Sequence, residues 1–209
     1  MYDRQTDSWW SQAFGRSVHG PMKDAELEMY PSSMMTWKQW RDLHPDTQVL
    51  SKRVSGRLEG MSDTYAGYHD SPQIGISRQL RFQADEIGPK ARVLSFVVDD
   101  ASFAVPLAEL EDNPVLNTEA GGKSFVIVGT PDKKTARVFI SESADWELLE
   151  FGDGRIVLRD GVTGSEWDGL TGKAVGGSAE GQQLAEVPGT LSYWFAWKTF
   201  YPETTILKH

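Results

Sequence analysis

The sequence predicts a mainly β fold with short helices. It is built from internally duplicated antiparallel barrel or sandwich units, each ending in a short tryptophan-bearing helix. Three observations predict it. Short β-branched runs separated by turn signals crowd residues 92–160. Two helix-like segments each hold a pair of tryptophans three residues apart. The first 50 residues align without a gap to residues 158–207 when the chain is slid along itself by 157 positions. Self-similarity at a fixed offset is the mark of a repeated structural unit.

Along that register Asp3 meets Asp160, Thr6 meets Thr163, and Ser8 meets Ser165. Trp10, Trp37 and Trp40 meet Trp167, Trp194 and Trp197; Gly15 and Gly20 meet Gly172 and Gly177; Pro31 and Pro45 meet Pro188 and Pro202. Like-for-like exchanges fill the gaps, among them Arg16 with Lys173 and Asp46 with Glu203. Tryptophan is rare, so three matched pairs in one register are not a coincidence. Residues ahead of 158 read as the front of the second unit, whereas the first copy starts at Met1. The expected organisation is therefore 1–50 as the back half of a first repeat, 51–91 as a connector, and 92–209 as a complete second repeat.

In chain order, Thr36 is placed to cap a helix, with Gln39 three residues on as in a capping box. Trp37 and Trp40 share one helical face, and the helix should stop before His44-Pro45 because a pre-proline residue resists the α conformation. The second copy repeats this through Trp194, Trp197 and Tyr201-Pro202. Residues 51–91 are rich in Gly, Pro, Ser and Asp, a loop-rich connector. Strands are expected at Arg92–Val98, Ser102–Leu107, Lys123–Gly129, Thr135–Ser141, Trp146–Phe151 and Arg155–Arg159. Asp99-Asp100 and Gly152-Asp153-Gly154 supply turns.

Composition narrows the function classes. Hydrophobic residues make up 39% and charged residues 24%, as in a globular protein. The net charge of −9 argues against a nucleic-acid backbone as partner, which needs a basic surface. No apolar run approaches the roughly 18 residues of a membrane-spanning helix, and no signal peptide is visible at Met1. With no cysteine, disulfides, thiolate catalysis and cysteine-based metal sites are excluded for these residues. No cofactor is expected.

The opening Met1-Tyr2-Asp3-Arg4-Gln5-Thr6-Asp7-Ser8-Trp9-Trp10-Ser11-Gln12 resembles a family signature. So do Thr36-Trp37 to Trp40-Arg41 with His44-Pro45-Asp46-Thr47, the closing Trp194-Phe195-Ala196-Trp197, and Tyr65-Ala66-Gly67-Tyr68. Together they are similar to the bacterial and archaeal domain of unknown function family 3179 (DUF3179), over nearly the whole chain. The resemblance implies an upstream half-repeat with a Cys-Pro-x-Cys motif, which this sequence lacks. At its counterpart, Gly129-Thr130-Pro131-Asp132-Lys133, Thr130 and Lys133 stand in the cysteine positions. The resemblance supplies no activity. It implies an extracytoplasmic location, periplasmic or secreted.

Candidate sites follow from the asymmetries between the copies. Arg4 and Gln12 become Gly161 and Gly169 in the second copy, so a function confined to the first copy would sit on them. Asp3 could orient Arg4 through a charge-assisted bond. Alternatively Asp3 and Thr6, which recur as Asp160 and Thr163, organise a turn. Trp9 and Trp146 have no matched tryptophan and are the candidates for stacking on a sugar or aromatic ligand. The six matched tryptophans read as core anchors. His19, His44 and His69 lack a metal-binding spacing and read as surface or capping residues. Gly121-Gly122-Lys123-Ser124 reads as a hairpin turn, not a phosphate loop.

The leading expectation is a non-catalytic extracytoplasmic ligand-binding or accessory protein. A truncated part of a redox- or metal-dependent enzyme and a carbohydrate-binding module are the alternatives. If the copies fold alike, the first leaves an apolar face around Trp9, Trp10, Phe14, Met34, Met35, Trp37 and Trp40 in need of cover. Self-association or a missing half-repeat would provide it.

Overall fold

The computed structural model describes residues 1–50, 65–75, 82, 86–130, 132–152 and 155–209. The chain opens with a three-stranded antiparallel sheet of β1 (Tyr2–Asp3), β2 (Ser8–Ser11) and β3 (Arg16–His19). Helix α1 (Trp37–Leu43) follows, capped as its sequence demands. The Thr36 N–H donates to Gln39 Oε1 at 2.8 Å and the Gln39 N–H to Thr36 Oγ1 at 3.2 Å. It ends at His44, one residue before Pro45. A one-turn helix, α2 (Ala66–Asp70), lies within the expected connector. Most of that connector, and the Asp153-Gly154 turn, lie outside the described residues.

From Arg92 onward the described residues form a stack of open sheets. Strands β4 (Arg92–Val98) and β5 (Ala101–Pro106) join through Asp99 and Asp100, both with positive φ, 48° and 66°. That is the backbone a two-residue hairpin turn needs. A 3-10 turn, Leu107–Leu110, leads to β6 (Val115–Ala120), β7 (Lys123–Gly129) and β8 (Ala136–Ser141). Then come β9 (Trp146–Gly152), β10 (Arg155–Asp160), β11 (Glu166–Asp168), β12 (Lys173–Gly176) and β13 (Gly189–Tyr193). Helix α3 (Trp194–Phe200) and β14 (Thr205–Ile206) close the chain.

The sheets order β13-β4-β5-β14, β6-β7-β8 and β12-β11-β10-β9. β7 shows how they stack. Its Phe125 and Ile127 join Leu94, Phe96 and Val105 on one side, while Val126 and Val128 join Ile156, Leu158 and Trp167 on the other. Side chains alternate across a strand with period two, so the central strand β7 is buried on both faces from Phe125 onward. This is why Phe125–Gly129 reads as an unbroken apolar run. Helix α3 covers the outer face of the first layer, setting Trp194 and Trp197 on Val93 and Ala104.

The fold is mainly β with short helices, as expected, and of the barrel and sandwich alternatives the described residues form stacked open sheets, none closed into a barrel. The sheets differ from expectation in two respects. β14 joins β5 in parallel, so the pairing is not wholly antiparallel. β6 was not expected, because Asn117-Thr118-Glu119 interrupts its apolar pattern; that strand is an outer one whose alternate residues face solvent.

The two copies meet crosswise. The corner of the first copy seats Phe14 edge-on against Phe200 and Tyr201, with centroids 5.3 and 5.6 Å apart, and the Tyr201 hydroxyl donates to the Ala13 carbonyl at 2.7 Å. Reciprocally, Thr171, the counterpart of Phe14, lines a cavity with Trp40, Leu43 and His44 at the end of α1. Each copy's hairpin corner thus approaches the other copy's helix. Phe14 finds cover this way, but Trp9, Met34, Trp37 and Trp40 stay exposed.

Candidate functional site

The predicted cluster around Arg4 is a turn. The Asp3 carboxylate accepts from the Gln5 N–H at 2.9 Å and the Thr6 hydroxyl at 2.5 Å. Those bonds, the Thr6 hydroxyl foremost, hold its pKa below the ordinary aspartate value. The second copy builds the same corner: Asp160 accepts from the Thr163 hydroxyl and N–H at 2.7 and 2.6 Å and from the Trp167 indole at 2.8 Å. Burial opposes ionisation of Asp160, but these bonds outweigh it and lower its pKa.

Arg4 projects from this turn with no hydrogen-bond or ion-pair partner among the described residues, and the bonds recorded for Asp3 go to Gln5 and Thr6. Gln12 lies beyond the other end of β2, its amide 3.4 Å from the Met1 sulfur, at the rim of a hollow with Thr190, Ser192 and Phe200. The four residues of β2 separate the two by roughly 13 Å, so they do not converge on one small ligand. Trp9 is 54% exposed and tilts against Tyr2, 5.3 Å between centroids. Trp146, the other unmatched tryptophan, is buried: its indole donates to Ser141 Oγ at 2.7 Å and its ring meets Trp167 edge-on. The expectation of a stacking role for Trp146 is therefore corrected to a core role.

A different set of residues converges where the connector meets β4 and β13. The Lys90 ammonium donates to the carbonyls of Tyr68, His69 and Ser71. It also lies 4.2 Å from the Tyr68 ring centroid and 5.2 Å from that of Tyr193. A cation on the last carbonyls of a helix is favourably placed, and here it pins α2 to the sheet. Pinning brings His69 Nδ1 to 2.8 Å from the Tyr193 hydroxyl. Tyr193 faces Arg92 across the β13–β4 ladder.

Behind them is a cavity of about 470 Å³ lined by Met34, His69, Arg92, Leu191, Ser192 and Tyr193. Ligand sites commonly span about 300–1,000 Å³ and favour junctions between units. This one is lined by Met34 from the first 50 residues together with Leu191, Ser192 and Tyr193 from near the chain's end. Its polar groups are left open. Arg92 has no hydrogen-bond or ion-pair partner among the described residues, and the buried Ser192 hydroxyl has none. Among the described residues no carboxylate lines the cavity, although the chain carries a net charge of −9. Arg92 and Tyr193 were not singled out by the sequence, and His69 read as a surface or capping residue, since the three belong to separate segments; the Tyr65–Tyr68 segment was the signal that pointed nearest.

A second cavity, about 370 Å³, lies over Trp146 and Trp167, and the polar groups at its floor satisfy one another. Asp160 serves Thr163 and Trp167, and Ser141 serves Trp146. Thr130, in a cysteine position of the family motif, is buried and bonds Asp132 and the Thr135 N–H.

Among the described residues no helix is long and apolar enough to cross a membrane. Residues 1–204 match the family described as "Protein of unknown function (DUF3179)". Comparison with curated proteins and with solved structures gives no match.

Proposed function

From the chain's membership of the DUF3179 family, whose description assigns no activity, we propose that it is a non-catalytic ligand-binding or accessory protein acting outside the cytoplasm. Its ligand is a small anion, a carboxylate or phosphate ester. The carrying observation is the cavity in which, among the described residues, no carboxylate is present and the Arg92 guanidinium and the Ser192 hydroxyl have no partner while His69 and Tyr193 flank them. Guanidinium groups recognise planar anions through paired hydrogen bonds. The extracytoplasmic location rests on the family resemblance. Calorimetric titration with a panel of mono- and dicarboxylates and sugar phosphates tests the site. Binding by the intact chain should weaken at least about tenfold in Arg92→Gln, the loss of one charge-assisted pairing. Absence of binding across the panel, or binding indifferent to Arg92→Gln, contradicts the proposal.

The exposed Trp9–Tyr2 pair favours a second reading, a glycan-stacking face. Tryptophan emission quenched by a glycan, and no longer quenched in Trp9→Ala, would support it.

A further inference from the structure

The segment before α1 aligns with a strand, yet it pairs with no strand among the described residues. Residues 189–193 form β13, hydrogen-bonded along β4, and residues 185–187 bond to β8 through Ala185 and Val187. Their counterparts, 32–36 and 28–30, have no backbone–backbone hydrogen bond to any strand among the described residues. The side chains record the same difference. Val187 is 6% exposed and Tyr30 73%. Trp194 and Trp197 are covered by Val93 and Ala104 of the β4–β5 hairpin, while among the described residues no such hairpin lies on Trp37 and Trp40, which are 50% and 39% exposed. The local geometry needed to receive a cover is already built. The Trp40 indole donates to Thr47 Oγ1 at 2.8 Å, and the Trp197 indole donates to Thr204 Oγ1 at 2.8 Å.

We infer that residues 32–36 and the Trp37–Trp40 face of α1 form a docking surface for a two-stranded β-hairpin of the β4–β5 kind. One strand adds antiparallel to 32–36 and small aliphatic residues lie on the tryptophans. The register follows from the β13–β4 ladder shifted by the repeat. Ser33 lies opposite the place of Ser95, Met34 opposite that of Leu94, and Met35 opposite that of Val93. Strand addition of this kind draws affinity from main-chain hydrogen bonds and specificity from alternate side chains. A second copy of the chain does not qualify, because its own β4–β5 hairpin already covers α3 and could be lent only by uncovering Trp194 and Trp197.

The test adds a synthetic peptide of residues 91–107 to the full chain and follows hydrogen exchange at residues 32–36. A decoy peptide carries Val93→Asp and Ala104→Asp. The peptide should slow exchange at 32–36 by about tenfold or more and shift tryptophan emission to the blue, and the decoy should do neither. Four outcomes overturn the inference: no protection at any peptide concentration, equal protection by the decoy, protection before any peptide is added, or protection that grows with the concentration of the chain alone. The last would identify a second copy as the occupant.

Discussion

Helices α1 and α3 have the same length, share the tryptophan spacing, and end at a residue before proline, yet one lies open and the other is core. Trp37 is 50% exposed where Trp194 is fully buried, and Trp40 is 39% exposed where Trp197 is 6%. Their local chemistry matches. The Trp40 indole bonds Thr47 and its ring lies 4.3 Å from His44; the Trp197 indole bonds Thr204 and its ring lies 4.3 Å from Tyr201. The hairpin corners match too, for Gly15 and Gly172 both have positive φ and Ser8 and Ser165 are both fully buried. What differs is the sheet laid over the helix. A short-range pattern therefore sets the shape of each copy, while burial is set by strands far along the chain.

The largest expected difference is in the tryptophans. Trp197→Ala should destabilise by roughly 3–5 kcal/mol, as for buried aromatics generally. Trp40→Ala should cost about 1 kcal/mol, an ordinary value for a point substitution. Thermal melts of the two variants check this, and equal costs would break the comparison.

The corner serines should behave alike, because their surroundings are complete in both copies. Ser8 Oγ accepts the Met22 N–H at 3.1 Å and Ser165 Oγ accepts the Ala179 N–H at 3.0 Å. Substitution by alanine orphans a donor in each, at about 1–3 kcal/mol. Local exchange at Met22 and at Ala179, each in its own variant, reads the two effects separately.

Acid should separate the aspartates. Both Asp3 and Asp160 have lowered pKa values in the folded chain. Each therefore contributes stability that is present above the ordinary aspartate pKa and is lost as pH falls toward the folded value. Asp160 is buried and also holds Trp167, so Asp160→Asn should flatten the acid limb of a stability–pH curve more than Asp3→Asn does. The smallest effect belongs to Arg4→Ala. The exposed, unpartnered side chain should leave stability within about 0.5 kcal/mol of the original, measured by urea titration.

Elements with local causes were legible in the sequence. Thr36 and Gln39 announce the cap of α1, and Asp99-Asp100 announces the β4–β5 turn. Phe125–Gly129 shows its burial on two faces as an unbroken apolar run. Residues that the sequence alignment pairs fall in like elements, Gly15 and Gly172 at positive-φ corners and Trp40 and Trp197 in seven-residue helices. What sequence could not disclose was the partner of each surface. Identical spacing put Trp40 and Trp197 in one class, although only one has a sheet above it. Trp146 looked unattached because its partners, Ser141 and Trp167, are brought near by sheet pairing. The candidate cavity draws His69, Arg92 and Tyr193 from three separate segments, and no local pattern joins them.

Native-state hydrogen exchange on the intact chain, comparing the amides of residues 40–43 with those of residues 197–200, tests most directly whether one unit is present twice and covered once. Protection near the global unfolding free energy in α3, with protection in α1 lower by several orders of magnitude, is the predicted result. Equal protection in the two helices would contradict it, for α1 would then be as well covered as α3.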